Sequence, residues 1–193
     1  MEIDERPSMG AEGPPLEAYS RVTNPERFAS LHDVAAELLD RLELEFEAKR
    51  AEGYGLDLEL EEGFKLARPS VTLVPRDVDA APIAVTFTAF PGIHVRFGRW
   101  FTSAFPTCGC DACDEAAESE AERLKSLIDN LTAGRYREAI RIPADGAASR
   151  ESVFWSVGGH SEEVSQLDRA RAQQLVAATD RSSYDWRPWP KRR

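Results

Sequence analysis

The chain has 193 residues, with 24 Lys and Arg against 34 Asp and Glu, so its formal net charge is −10 at pH 7. This acidity argues against a general nucleic-acid binder, which needs a basic surface to displace counterions from phosphates. A hydrophobic fraction of 42% supports a folded core, and no apolar run in the sequence approaches the roughly 20 residues of a membrane-spanning helix.

The N-terminal residues 1–18 are acidic and then rich in Gly and Pro, without the basic start and apolar run of a secretion signal. We therefore expect a flexible tail and a cytoplasmic protein. The three cysteines fall within six residues, too close for a long-range disulfide framework, which fits the same compartment. We expect one domain over residues 19–183 and a Trp- and Pro-rich tail over 184–193.

The first predicted element is a helix that begins at TNPERF, where a side-chain cap precedes Pro25. Gly53 and Gly55 predict its end near Ala51. Residues 56–68 alternate like a strand at one end and keep helical spacing at the other, so we expect a connector with one short helical stretch. The apolar stripe of the helix consists of Phe28, Leu31, Ala35, Leu38, Leu42 and Phe46.

From Pro69 the apolar pattern changes to a period of two, which predicts strands. Pro91 and Gly92 form a tight-turn dipeptide, so the two strands beside them should pair as a hairpin. Short turns between consecutive strands imply an antiparallel sheet. The predicted strands are Ser70–Pro75, Ile83–Phe90, Ile93–Phe97 and Arg99–Phe105.

A second helix should begin near Ala117 and end at Gly134. Two strands, Tyr136–Ile142 and Ser152–Val157, and a helix over about Glu163–Ala178 complete the pattern. The order α-β-β-β(-β)-α-β-β-α predicts an α+β fold with a single antiparallel sheet and helices packed on it. This order resembles that of type III secretion chaperones and their relatives, which are small acidic partner-binding proteins, although several unrelated binding folds share it.

The densest group of chemically capable side chains is CGCDACDE, residues 108–115. Thiolates this close can converge on one soft metal ion, and Cys110 and Cys113 have the two-residue spacing of zinc knuckles. With Cys108 they supply three of the four ligands of a structural zinc site. His94, on the preceding strand, is the predicted fourth ligand. The other candidates for this position are His32, His160, Asp111 and Asp114.

Two other interpretations of the cysteines stay open. Three reduced thiols can simply occupy a strand-to-helix turn, where Gly109 gives backbone freedom and Asp111 or Asp114 caps the helix. The second is thiol redox chemistry: a helix N-terminus lowers the pKa of a thiol, whereas the neighbouring acids raise it. A deaminase-type zinc site is not predicted, since no ligand-and-base pair precedes the cysteines.

Two aromatic segments have structural and functional interpretations. RFGRWF, residues 96–101, is either a recognition face or ordinary strand alternation with a bulge at Gly98. Trp186 and Trp189 should clamp onto their own domain, since exposed tryptophans reduce solubility, with partner docking as the alternative. If Arg99–Phe105 is an outer strand, its edge favours pairing between two copies, so we predict a homodimer.

Several strings give the chain a specific resemblance: YSRVTNPERF, EGYGLDLELEEGF, RFGRW, FPTCGCDACDE and YDWRPWP. On these strings it is similar to an actinobacterial family described as a domain of unknown function, over nearly the whole chain from Tyr19. The resemblance implies a cytoplasmic bacterial protein and brings no activity with it.

No set of nucleophile, base and orienting group emerges from the sequence. We predict a non-enzymatic binding protein, chaperone-like or regulatory, that takes a protein partner or small ligand and holds a structural zinc ion at Cys108, Cys110 and Cys113. The alternative is a zinc-dependent enzyme that uses the same cysteines and keeps an open fourth position for water. Nucleic acid and membrane partners are not expected.

Overall fold

A computed structural model describes residues 13–53, 65–156 and 158–193. Two short 3₁₀ helices, Leu16–Ser20 and Pro25–Phe28, come first. The elements that follow are α1 Ser30–Glu45, β1 Ala48–Gly53, β2 Ser70–Pro75, β3 Ile83–Phe87, β4 Ile93–Phe97, β5 Phe101–Phe105, α2 Ala117–Thr132, β6 Tyr136–Arg141, β7 Ala148–Ser156, β8 Gly159–Leu167, α3 Arg169–Thr179 and β9 Ser183–Asp185.

The strands form two antiparallel sheets, in the orders β1-β2-β3-β4-β5 and β8-β7-β6-β9. The α+β class is confirmed and the order of helices and strands broadly fits, but β1, β8 and β9 were not predicted, and the strands divide between two sheets where one was predicted. Side chains from α2 and β7 occupy one carbonyl of β5 and one of the residue before it. Arg123 on α2 donates to the Ala104 carbonyl, and Arg150 on β7 donates to the Trp100 carbonyl.

The predicted apolar stripe of α1 is buried throughout, and it belongs to one core that both sheets and α2 share. Leu31 and Leu42 are at most 1% exposed, as are Val95 on β4 and Leu124 on α2. Burial of these side chains supplies the main driving force for folding. Among the described residues, no helix combines the length and apolar character needed to cross a membrane.

The first helix is shorter than predicted, since α1 ends at Glu45 rather than near Ala51. Phe46 adopts an extended conformation, and β1 then pairs with β2 through six residue pairs. The Phe46 ring packs edge-on against Trp189, with 5.7 Å between ring centroids. This contact with a distant segment overrides the local helical pattern. Of the predicted connector 56–68, residues 56–64 lie outside the described residues.

The prediction of a helix from Glu163 is wrong over its first residues. Residues 159–167 form β8, which pairs with β7 through nine residue pairs and extends β7 back to Ala148. The sequence of β8 has no apolar stripe that a helix could bury, so these residues instead pair with β7 through backbone hydrogen bonds. The helix α3 begins after Asp168, whose carboxylate accepts the backbone N–H of Arg171 at 3.1 Å.

The aromatic residues of the C-terminal segment pack on the domain, as expected. Trp186 and Trp189 are 4% and 3% exposed. The Trp189 indole donates to the Ala81 carbonyl at 2.8 Å. At the other end of the chain, part of the predicted N-terminal tail is ordered, because Ala18 is buried against the cysteine loop.

Candidate metal site

The three cysteines converge in the loop between β5 and α2. The Sγ atom of Cys110 lies 3.2 Å from Sγ of Cys108 and 3.4 Å from Sγ of Cys113, and all three lie within 4.8 Å of one another. In a tetrahedral thiolate site with Zn–S bonds of about 2.3 Å, neighbouring sulfurs are about 3.8 Å apart. The two distances from Cys110 are somewhat shorter than this, so the three sulfurs lie close enough together to reach one ion.

The cysteines differ in their access to water. Cys110 is buried at 5% exposure, Cys108 is half-buried, and Cys113 is exposed. The cluster is thus anchored on the protein at Cys110 and open to solvent at Cys113. A soft ion held by these sulfurs would have protein on one side and water on the other.

Beneath the loop, Gly109 lies directly on the Phe90 ring. A Cβ added at this glycine would be 2.5 Å from Cζ of Phe90, far inside van der Waals contact. A larger residue at this position would therefore require the exposed Phe90 ring or the loop to shift.

Asp111 connects the loop to the N-terminal segment. Its carboxylate accepts from the Thr23 backbone N–H at 2.9 Å, from the Thr23 hydroxyl at 3.1 Å and from the Arg21 guanidinium at 3.0 Å. These donors, the Thr23 N–H first among them, lower the pKa of the Asp111 carboxyl. The hydrogen bonds of Asp111 with Arg21 and Thr23 thus attach the loop to residues about 90 positions earlier in the sequence.

Arg27 provides a second connection from the same segment. Its guanidinium donates to the carbonyls of Gly109 and Cys110 at 3.3 Å each, and it lies 3.9 Å from the Asp111 carboxylate. The sequence predicted that acids around the cysteines would oppose thiolates. In the fold, cations approach the loop from the N-terminal segment and offset that repulsion.

Hydrogen bonds among the three thiols shift the pKa values of Cys110 and Cys113 in opposite directions. The hydrogen bond with Cys108 lowers the pKa of Cys110, whereas those with Cys110 and Cys108 raise the pKa of Cys113 to about 12. The hydrogen bond with Cys108 therefore favours the thiolate form of Cys110, and the cluster favours the protonated form of Cys113. A divalent cation that binds the three sulfurs would displace their protons, because cysteine binds a metal as the thiolate.

The structure places the histidines apart from this group, which within the described part of the chain consists of the three cysteines. His94 lies in the middle of β4, opposite Thr86 and Ala104, and burial lowers its pKa. His32 donates to the Gly92 carbonyl at 2.8 Å in the assigned geometry. His160 is exposed on β8.

Glu138 is the charged residue that the sequence analysis missed. It is 1% exposed on β6, yet its carboxylate accepts five hydrogen bonds of 2.7–3.3 Å. Burial raises its pKa, while the N–H donors of Arg99 and Trp100 act in the opposite direction. The donors are the backbone N–H groups of Arg99, Trp100 and Phe101, the Tyr136 hydroxyl and the Trp186 indole.

These contacts explain the RFGRWF segment. It forms the turn between β4 and β5, with Gly98 at φ +66°, and its backbone wraps around the carboxylate of Glu138. The segment is therefore a structural turn. A signal was present in the sequence, because Tyr136, Glu138 and Ile140 alternate on one face of β6 and the outer two are apolar.

The sequence matches a family described as "Family of unknown function (DUF6226)" over residues 5–193, so the chain belongs to this family. The comparison with curated proteins gives no match, and neither does the comparison with solved structures. Membership confirms the resemblance to a domain of unknown function. The resemblance to secretion chaperones stays a prediction.

Proposed function

We propose that this protein binds one zinc ion through Cys108, Cys110 and Cys113, and that the ion is structural. The observation that carries the proposal is the convergence of three Sγ atoms within 4.8 Å. Zinc favours thiolate ligands in tetrahedral arrangement, and structural zinc sites contribute directly to folding free energy. A water molecule completes the coordination, since His94 is not among the residues that converge with the three sulfurs.

The surroundings of the cysteines favour a structural ion over a catalytic one. A zinc enzyme needs a titratable group free to move a proton beside the metal. Of the acids in the loop, Asp111 is held by Arg21 and Thr23, and Glu115 accepts from the backbone N–H of Cys108 at 3.0 Å. The same contacts make the loop a junction between the N-terminal segment, β5 and α2, which a metal would hold together.

We further propose that the domain serves binding rather than catalysis, as a chaperone-like or regulatory protein. A cleft of about 320 Å³ between β5, α2 and the β7–β8 hairpin supports a small-ligand site. Phe101 and Phe154 supply apolar surface in it, and Ser103 and Ser152 supply hydroxyl groups. The predicted homodimer is tested by light scattering, where a mass of 21.5 kDa at tens of micromolar would contradict it.

Metal analysis of protein purified without a His-tag tests the zinc site. We expect one zinc per chain, and its loss in Cys110→Ser and Cys113→Ser together with a lower Tm. Thr107→Ser is the matched control, because it changes the same loop and keeps all three thiols. His94→Ala should leave zinc binding unchanged, because His94 is not part of the group of converging ligands.

The result that contradicts the proposal is equally simple to observe. Absence of metal, combined with three thiols that react with a thiol reagent freely and at similar rates, would leave only reduced cysteines in a turn.

A further inference from the structure

We propose that a hydroperoxide oxidises Cys110 and Cys113 of the zinc-loaded loop to a disulfide and that this releases the ion. The inference rests on the zinc site proposed above and assigns that site a chemical modification. It starts from two adjacent sulfurs, 3.4 Å apart, of which one is exposed and the other buried.

The exposed member of the pair gives the oxidant its point of entry. Cys113 is open to solvent, so a small hydroperoxide can reach its sulfur without displacing any other residue. Cys110 is protected by its burial but lies in contact with Cys113. A disulfide bond is about 2.05 Å long, so the two sulfurs need to approach by little more than 1 Å, a distance within reach of side-chain rotation.

The chemistry balances with the hydroperoxide as the only oxidant. The Cys113 thiolate attacks the peroxide, so an S–O bond forms, the O–O bond breaks, and the leaving oxygen takes a proton from water. The Cys110 thiolate then attacks the Cys113 sulfur, the S–S bond forms, and the S–O bond breaks as hydroxide leaves and is protonated. Two thiolates lose two electrons and the peroxide gains them.

Cys108 is left as the unpaired third thiol. It has a similar distance to Cys110, 3.2 Å, but it is less exposed than Cys113 and its backbone N–H is held by Glu115. Cys110 and Cys113 also have the two-residue spacing of thiol–disulfide motifs. After oxidation the ion keeps one thiolate of three, which is too few for a stable zinc site.

Cations of the N-terminal segment assist this step. Both the attack on the peroxide and the attack on the Cys113 sulfur expel an oxygen anion. The guanidinium of Arg27 lies beside the loop, where it donates to the carbonyls of Gly109 and Cys110. A positive charge beside the loop stabilises the departing anion, in the way that cations beside a thiol favour its thiolate.

The experiment treats zinc-loaded full-length protein with hydrogen peroxide and follows zinc with a colorimetric chelator. We expect one zinc released per chain and a mass decrease of two hydrogen atoms. Fragmentation of the tryptic peptide 100–123, which contains all three cysteines, should place the bond between Cys110 and Cys113. Dithiothreitol with added zinc should restore the starting state.

Two variants sharpen the test. Thr107→Ser keeps all three thiols, so peroxide should still release the zinc and produce the disulfide. Cys113→Ser should lose the disulfide completely. Because Thr107→Ser also changes a side chain of this loop but leaves the proposed ligands in place, it controls for disturbance of the loop itself.

The outcomes separate this inference from the zinc proposal. Protein without zinc before oxidation would refute both. Zinc that is bound but retained in peroxide, or released with only sulfinic acids or a Cys108–Cys110 bond, would overturn the disulfide and leave the zinc site intact.

Discussion

Replacement of Glu138 by alanine should be among the most damaging single substitutions in this protein. The carboxylate is the common acceptor for the β4–β5 turn, β6 and the C-terminal segment. The Tyr136 hydroxyl retains a second acceptor, the Phe97 carbonyl at 3.2 Å. The donors left without an acceptor are the backbone N–H groups of Arg99, Trp100 and Phe101 and the Trp186 indole.

The magnitude follows from these orphaned donors. Each buried donor without a partner costs about 1–3 kcal/mol, and removal of a buried carboxyl recovers several kcal/mol of desolvation. We expect a net loss of about 3 kcal/mol in the free energy of unfolding at neutral pH. For a domain of this size that corresponds to a Tm lower by roughly 6–12 °C.

Urea and thermal unfolding followed by circular dichroism measure this loss. Glu162→Ala is the matched control, because Glu162 is exposed on β8 of the same sheet, and surface substitutions usually change stability by less than about 0.5 kcal/mol. A loss below about 1 kcal/mol for Glu138→Ala would refute the role assigned to the carboxylate.

Four further outcomes are expected. Deletion of residues 184–193 should lower the Tm sharply, since two buried indoles contribute several kcal/mol; an unchanged melting curve would contradict this. Gly98→Ala should also lower the Tm, because a Cβ there would overlap the Glu138 carboxylate and φ is +66°; native stability would refute this clash. Asp111→Asn should accelerate tryptic cleavage after Arg21, because it weakens the contact that holds Arg21 against the loop; an unchanged cleavage rate would contradict this. Burial raises the pKa of Glu138 above 4.5, so the folded state keeps this proton to higher pH than the unfolded chain. The part of the stability that comes from this proton is present below pH 4.5 and lost as pH rises through the folded pKa, whereas the hydrogen bonds to the carboxylate remain at neutral pH; Glu138→Gln should flatten that part of the urea stability curve, and parallel curves would contradict the assignment.

Local sequence patterns predicted those helices and strands that bury a single face. β2 and β4 have the predicted bounds, and α2 begins at the predicted Ala117, because alternation and helical spacing express a single buried face. Phe46 shows the limit of such patterns. It continues the apolar stripe of α1, yet its contact with Trp189 ends the helix, and no window of local sequence contains both residues.

The candidate site also has a part that local sequence predicts and a part that depends on distant residues. Spacing alone brought Cys108, Cys110 and Cys113 together, since residues two and three apart in a loop cannot be far from one another. The charge around them could not be predicted, because Arg27 reaches the loop across 82 positions of sequence. Glu138 was missed because a charge is rarely fully buried, and its donors are mostly backbone groups that any sequence carries.

The packing of Trp189 on Phe46 also imposes an order of events during synthesis. These residues are 143 positions apart in the sequence, and at 5–20 residues per second a ribosome needs roughly 7–30 s to proceed from one to the other. Throughout that interval the nascent chain presents an uncovered phenylalanine at the end of α1. The domain therefore completes this part of its core only after translation has passed its last strand.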